Sequence, residues 1–258
     1  MFILTKRRKF VLSSLVLSFG LYLLAMIGFE YKYQAIAALA FLAAILTFWS
    51  LRGAAFDLAL WITPVLPMFF TAGVALFYFL LPVNLFTIVP VILIYFVGMY
   101  ALLLTLNIFS VAAIRTINLF RSASAVGFLL TLLTGFFLYN AALSLKMNFY
   151  WNFLTVFLIS LPLFLVGLWS VNLEEKMPKE IFLAAMVASY FVGQLELALS
   201  FWPVSVTVGS LFLTASVYVL LGLLQAQRLG RLFQKTIIEY LAVGLAVFLT
   251  MLFYTSWV

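Results

Sequence analysis

Nine apolar runs, each close to the length needed to cross a lipid bilayer, divide almost the whole chain, and no other feature constrains its fold as tightly. They fall at about residues 10–29, 35–51, 58–82, 84–106, 124–145, 150–172, 181–202, 204–224 and 237–257. A hydrocarbon core about 30 Å thick asks for about 20 apolar residues at a helical rise of ~1.5 Å per residue. A backbone in contact with lipid must satisfy its own hydrogen bonds, which leaves helices and closed barrels. Barrel strands alternate apolar and polar positions over about ten residues, whereas these runs are apolar on every face. The expectation is an all-α, polytopic transmembrane helical bundle of about nine spanning helices, forming one integral membrane domain over residues 1–258.

Composition removes the competing classes. A soluble domain carries roughly 25% charged residues. This chain carries 8%, with 67% hydrophobic residues and a mean hydropathy of +1.27. A net charge of +7 would suggest nucleic acid in a soluble protein. Here the Lys and Arg residues sit in short clusters between apolar runs, so they read as topology signals and no nucleic-acid partner is expected. Cys and His are both absent, which excludes disulfides, thiolate nucleophiles, Cys or His zinc sites, iron–sulfur clusters and His-ligated haem. No metal or cofactor is expected.

Orientation follows from the basic residues, because cytoplasmic loops are enriched in Lys and Arg. With the amino terminus inside, the inner side holds Lys6, Arg7, Arg8, Lys9, Arg52, Arg115, Arg121, Lys176, Lys179, Arg228, Arg231 and Lys235, and the outer side holds Lys32 and Lys146. That split, 12 against 2 of 14, puts the amino terminus in the cytoplasm and, after nine crossings, the carboxyl terminus outside. The run after Lys9 is too long for a cleaved signal peptide and reads as the first helix. The expected location is a bacterial or archaeal cytoplasmic membrane.

Two inner connectors look amphipathic. On a 100-degree wheel, Asn107, Ser110, Arg115, Asn118, Arg121 and Ser122 fall within about 140 degrees of one another, opposite Ile108, Phe109, Ala112, Leu119 and Phe120, with Val111 and Ile114 as exceptions. Gln227, Arg228, Arg231, Gln234 and Lys235 likewise oppose Ala226, Leu229, Leu232 and Phe233. Both are expected to lie flat as interfacial helices on the cytoplasmic face, with Arg115, Arg121, Arg228, Arg231 and Lys235 meeting anionic lipid. The plainer reading is a basic loop that merely meets head-group phosphates.

Inside the membrane, Glu196 is the only acid well removed from a helix end, and an ionisable residue at depth marks a functional site by default. Gln194 lies on the other side of the same helix. Lys146, Asn140 and Asn152 stand near neighbouring outer ends and complete the candidate polar site. Thr63, Pro64 and Pro67 near the inner end of the third run predict a helix break, since two prolines three apart remove two backbone donors; broken helices line transporter sites.

Three functions fit. A small transporter or permease-like subunit rests on Glu196 and the break. A non-catalytic assembly or sensory subunit, alone or with protein partners, rests on the scarcity of deep polar groups. An intramembrane lipid-modifying enzyme has only the basic inner surface in its favour.

Overall fold

The computed structural model describes residues 5–24, 31–51, 59–82, 85–113, 118–174 and 177–255, and among these every regular element is a helix. In chain order they are α1 (Lys6–Leu24), α2 (Lys32–Leu51), α3 (Ala59–Ile62), α4 (Val65–Tyr78), α5 (Leu85–Ala112), α6 (Phe120–Ser144), α7 (Phe149–Asn172), α8 (Lys179–Leu199), α9 (Val206–Arg228) and α10 (Gln234–Tyr254). Each apolar run falls on one helix, except the third, which falls on the α3–α4 pair.

Seven of these helices, α2 and α5 to α10, are long and apolar enough to cross a membrane. The two remaining runs fall short for visible reasons. The 19 described residues of α1 open on Lys6, Arg7, Arg8 and Lys9, which dilutes its apolar stretch. With 14 residues, α4 reaches roughly 21 Å, less than the ~30 Å hydrocarbon core.

The shortness of α4 comes from the break expected at Thr63 and Pro64. Thr63 and Pro64 form a turn between α3 and α4. Pro64 and Pro67 both lack an N–H, so two rungs of the hydrogen-bond ladder are missing within one turn. The ladder resumes when the Met68 N–H donates to the Pro64 carbonyl at 3.0 Å. Pro90 and Pro162, by contrast, sit inside the unbroken helices α5 and α7.

The amphipathic connectors are not separate interfacial helices. Residues 107–112 are the last turns of α5 and residues 120–124 the first of α6, with Asn118 and Leu119 in a turn between; Arg115 lies outside the described residues. Gln225 to Arg228 complete α9, which stops at Gly230, the one described glycine with a left-handed backbone, φ 65°. The Gly230 N–H donates to the Gln227 carbonyl at 3.0 Å and the Arg231 N–H to the Ala226 carbonyl at 2.8 Å. This pair of bonds ends a helix by satisfying its orphan carbonyls, and glycine adopts the required conformation without a Cβ penalty. Extending a formed helix adds a bond for each residue fixed, whereas a new interfacial helix must nucleate again. A polar and an apolar face therefore arise as readily on the emerging ends of spanning helices.

The helices gather into two compact units. Unit 1 takes in α1 to α5 and the start of α6, to Leu130. In it α1 packs on α2 and α5, α2 on α4, and α4 on α5, around Phe10, Leu17, Phe70, Tyr95 and Met99.

Unit 2 takes in the rest of α6 and α7 to α10. In it α7 packs on α8 and α9, α8 on α9, and α9 on α10, around Tyr139, Leu163, Phe164, Val192, Leu213 and Leu221. Lipid tails are as apolar as leucine, so helices in a membrane hold together through close packing. Gly193 accordingly leaves only 2.9 Å between a built Cβ and the Phe153 ring, and Gly167 only 2.8 Å to Leu221. α10 buries a single residue, Met251.

Candidate functional site: a polar cavity at one end of unit 2

Two connections meet at one end of unit 2, because α6 to α9 run alternately up and down. One joins α6 to α7 through Leu145 to Asn148; the other joins α8 to α9 through Ser200 to Ser205. Between them lies a cavity of about 630 Å³. Asn152, Glu196 and Ser200 line it together with Lys146, Tyr150 and Trp202. Lys146 turns the chain in a left-handed conformation, φ 47°, and its side chain is exposed.

Glu196 belongs to the packed stripe of α8, in register with the buried Ala185, Ser189, Val192 and Leu199. That register, at helical spacings of three and four, carries the carboxylate inward, and Glu196 is 0% exposed. Ser200, one turn later, donates its hydroxyl to Glu196 Oε1 at 2.8 Å. The second oxygen, Oε2, has no hydrogen-bond partner. Asn152 of α7 is a second side chain within hydrogen-bonding reach of the carboxylate; it is 9% exposed and its Oδ1 lacks a partner. A buried charge without partners is costly, and this carboxylate is held half-satisfied against the cavity. Among the residues that line the cavity, Glu196 is the one acid.

The sequence candidates separate cleanly. Glu196, Asn152 and Lys146 share the cavity, and the carboxylate's hydrogen bond comes from Ser200 rather than Lys146. Asn140 is elsewhere: it donates to Ser210 Oγ at 3.2 Å and ties α6 to α9. Gln194 is exposed on another face of α8. Thr63, Pro64 and Pro67 belong to unit 1, where the Pro67 carbonyl accepts the Thr71 hydroxyl at 2.7 Å. Arg121, Arg231 and Lys235 are exposed and Arg228 half-buried; none of them lines the cavity. Sequence reasoning missed Ser200, although its i+4 spacing from Glu196 was legible. It also missed the aromatic wall of Phe149, Tyr150, Phe201 and Trp202, which no spacing announces.

A family match covers this whole arrangement: the family described as "Protein of unknown function (DUF5656)" matches residues 13–254. The chain belongs to the DUF5656 family. The match extends from the middle of α1 to the end of α10, so every residue of the cavity lies within the family's span. No curated protein and no solved structure matches the chain.

Proposed function

We propose that this protein is a small transporter or permease-like subunit, in which Glu196 takes up a proton or cation from the cavity of unit 2. The observation that supports it is the Glu196 carboxylate, 0% exposed, with one oxygen unpartnered beside a cavity of about 630 Å³. In the nine-crossing reading, with α1 and the broken α3–α4 pair counted as spans, the amino terminus is cytoplasmic and the cavity opens outside. Reporter fusions at both termini test this arrangement, and finding both ends on one side overturns it. The exposed basic residues at the far ends, Arg121, Arg231 and Lys235, then meet anionic lipid on the cytoplasmic face.

The decisive experiment uses purified protein in liposomes loaded with a pH-sensitive dye, with a membrane potential imposed. Glu196→Gln keeps the side-chain shape and removes the charge, so proton flux should fall to the level of empty liposomes. Equal flux in the variant and the parent refutes the assignment. The lipid-enzyme reading loses ground on position: Arg228 ends α9 while the cavity lies at its start, at the other end of a 23-residue helix, roughly 33 Å away at helical rise. A role as an assembly subunit draws its support from α10, whose apolar length buries only Met251; a stable second protein co-purifying through α10 would favour it.

A further inference from the structure

The polar groups of the cavity do not balance, and the imbalance describes a ligand. Glu196 Oε2 and Asn152 Oδ1 are both buried acceptors without a donor. The nearest hydroxyl, that of Ser200, has its one hydrogen committed to Glu196 Oε1 at 2.8 Å. A proton on Oε2 could be donated to Asn152 Oδ1 and close both groups, but it would leave the cavity, its aromatic wall and Lys146 without an occupant. A divalent cation asks for more oxygen ligands and charge than one carboxylate provides. A quaternary ammonium brings charge and no N–H, so both acceptors would stay unsatisfied.

A primary ammonium brings one positive charge and three donors, and it answers both orphaned oxygens at once. The wall suits it, because Tyr150 and Trp202 line the same cavity and aromatic faces attract cations. Lys146 adds the second half of the specification. Its exposed ammonium lines the cavity, where it repels a bare amine and attracts a compound that also carries an anion. The volume of about 630 Å³ lies within the range typical of small-molecule sites, about 300–1,000 Å³.

We propose that the cavity binds the primary ammonium of a small zwitterion through Glu196 and Asn152, with Lys146 receiving the zwitterion's carboxylate or phosphate. This rests on the uptake reading above only in taking the cavity as the place of entry. The same chemistry occurs in free zwitterions and in the head group of an ethanolamine phospholipid, and the test separates them.

Full-length protein in an uncharged maltoside detergent would be titrated by calorimetry with phosphoethanolamine, phosphocholine and ethanolamine. In parallel, retention of phosphatidylethanolamine against phosphatidylcholine would be read by native mass spectrometry. Phosphoethanolamine should bind at least tenfold more tightly than phosphocholine. Glu196→Gln should weaken it tenfold or more, and Lys146→Gln should reduce it to the level of ethanolamine. Glu196-dependent retention of the ethanolamine lipid without binding of the soluble probe assigns the site to the head group; the converse assigns it to a free zwitterion. The comparison of phosphoethanolamine with phosphocholine needs no variant, so misfolding cannot produce the expected result. Equal binding of the two probes, no effect of Glu196→Gln in either arm, or no binding in either arm overturns the proposal. If ammonium binding fails while proton flux still depends on Glu196, the ligand class falls and transport stands; if binding succeeds and flux ignores Glu196, transport falls.

Discussion

The two units bury the same polar device and differ in what they leave open. In unit 1 the Tyr95 hydroxyl lies 2.8 Å from Thr71 Oγ1, and Thr71 donates to the Pro67 carbonyl at 2.7 Å. In unit 2 the Tyr139 hydroxyl lies 2.7 Å from Ser160 Oγ, and Ser160 donates to the Val156 carbonyl at 2.6 Å. Since the Thr and Ser hydrogens go to the backbone, each tyrosine must be the donor, and each chain closes on a carbonyl. Both tyrosines are 0% exposed. Unit 2 alone adds a buried carboxylate with an unpartnered oxygen at a cavity, among the described residues. Unit 1 also holds unpartnered oxygens, such as Ser13 Oγ and Ser18 Oγ, but these are neutral, and a neutral hydroxyl costs far less to bury than a charge. The buried tyrosines thus sit in bond chains that close on a carbonyl, whereas Glu196 leaves an oxygen open at a cavity.

The comparison is tested most strongly by crowding each core. A Cβ at Gly98 would come within 2.7 Å of Phe70 Cζ, and Phe70, itself 0% exposed, stacks on Tyr95 at 5.7 Å. Gly98→Val should therefore lower unfolding free energy by about 2–3 kcal/mol, the upper part of the range for overpacking. A Cβ at Gly222 would overlap the Tyr240 ring, but Tyr240 is only half-buried on the loosely covered α10. Gly222→Val should accordingly cost about 1 kcal/mol as that ring swings aside. Thermal unfolding in one detergent ranks the two, and the reverse order would show that α9 and α10 are held more rigidly than the burial of α10 implies.

Next in size are Tyr95→Phe and Tyr139→Phe, which remove one closed interhelical bond each and leave the ring in place. Hydrogen bonds between membrane helices contribute about 0.6 kcal/mol on average, so both variants should lose close to that amount, and to similar degrees. A loss in one unit only would mean that the two bond chains are not equivalent.

Much of this was legible in the sequence, for physical reasons that also explain what was not. Among the described residues, seven of the nine apolar runs fall on helices long and apolar enough to cross a membrane, because length and apolarity are what a bilayer demands. Pro64 and Pro67 announced the break because a missing N–H is written in the residue type. Gly230 was equally legible as a stop, yet a wheel drawn through Gln225 to Lys235 ignored it and yielded an interfacial helix where α9 ends and α10 begins. Glu196 stood out as the one deep acid. Lys146, Asn140 and Asn152 were legible beside it, but which of them reaches it depends on helix rotation, which packing decides; Asn140 turned to Ser210 and Asn152 to the cavity.

The smallest expected effect is the most informative. If Glu196 were a structural tie like Tyr95 or Tyr139, Glu196→Gln would destabilise unit 2, because the Ser200 bond would weaken without gain. If it is instead an open charge kept for a ligand, neutralising it removes a desolvated carboxylate whose Oε2 finds no donor. The amide keeps an acceptor oxygen for Ser200 and adds an N–H₂ that can reach the unpartnered Asn152 Oδ1. Unfolding free energy should then stay within about 0.5 kcal/mol of the parent or rise, while ammonium binding and flux are lost. Glu196→Gln would thus change activity without stability, and the tyrosine variants stability without activity. A melting temperature that falls with Glu196→Gln as far as with Tyr139→Phe would erase the distinction between the two kinds of buried polar group, and Glu196 would become one more interhelical tie.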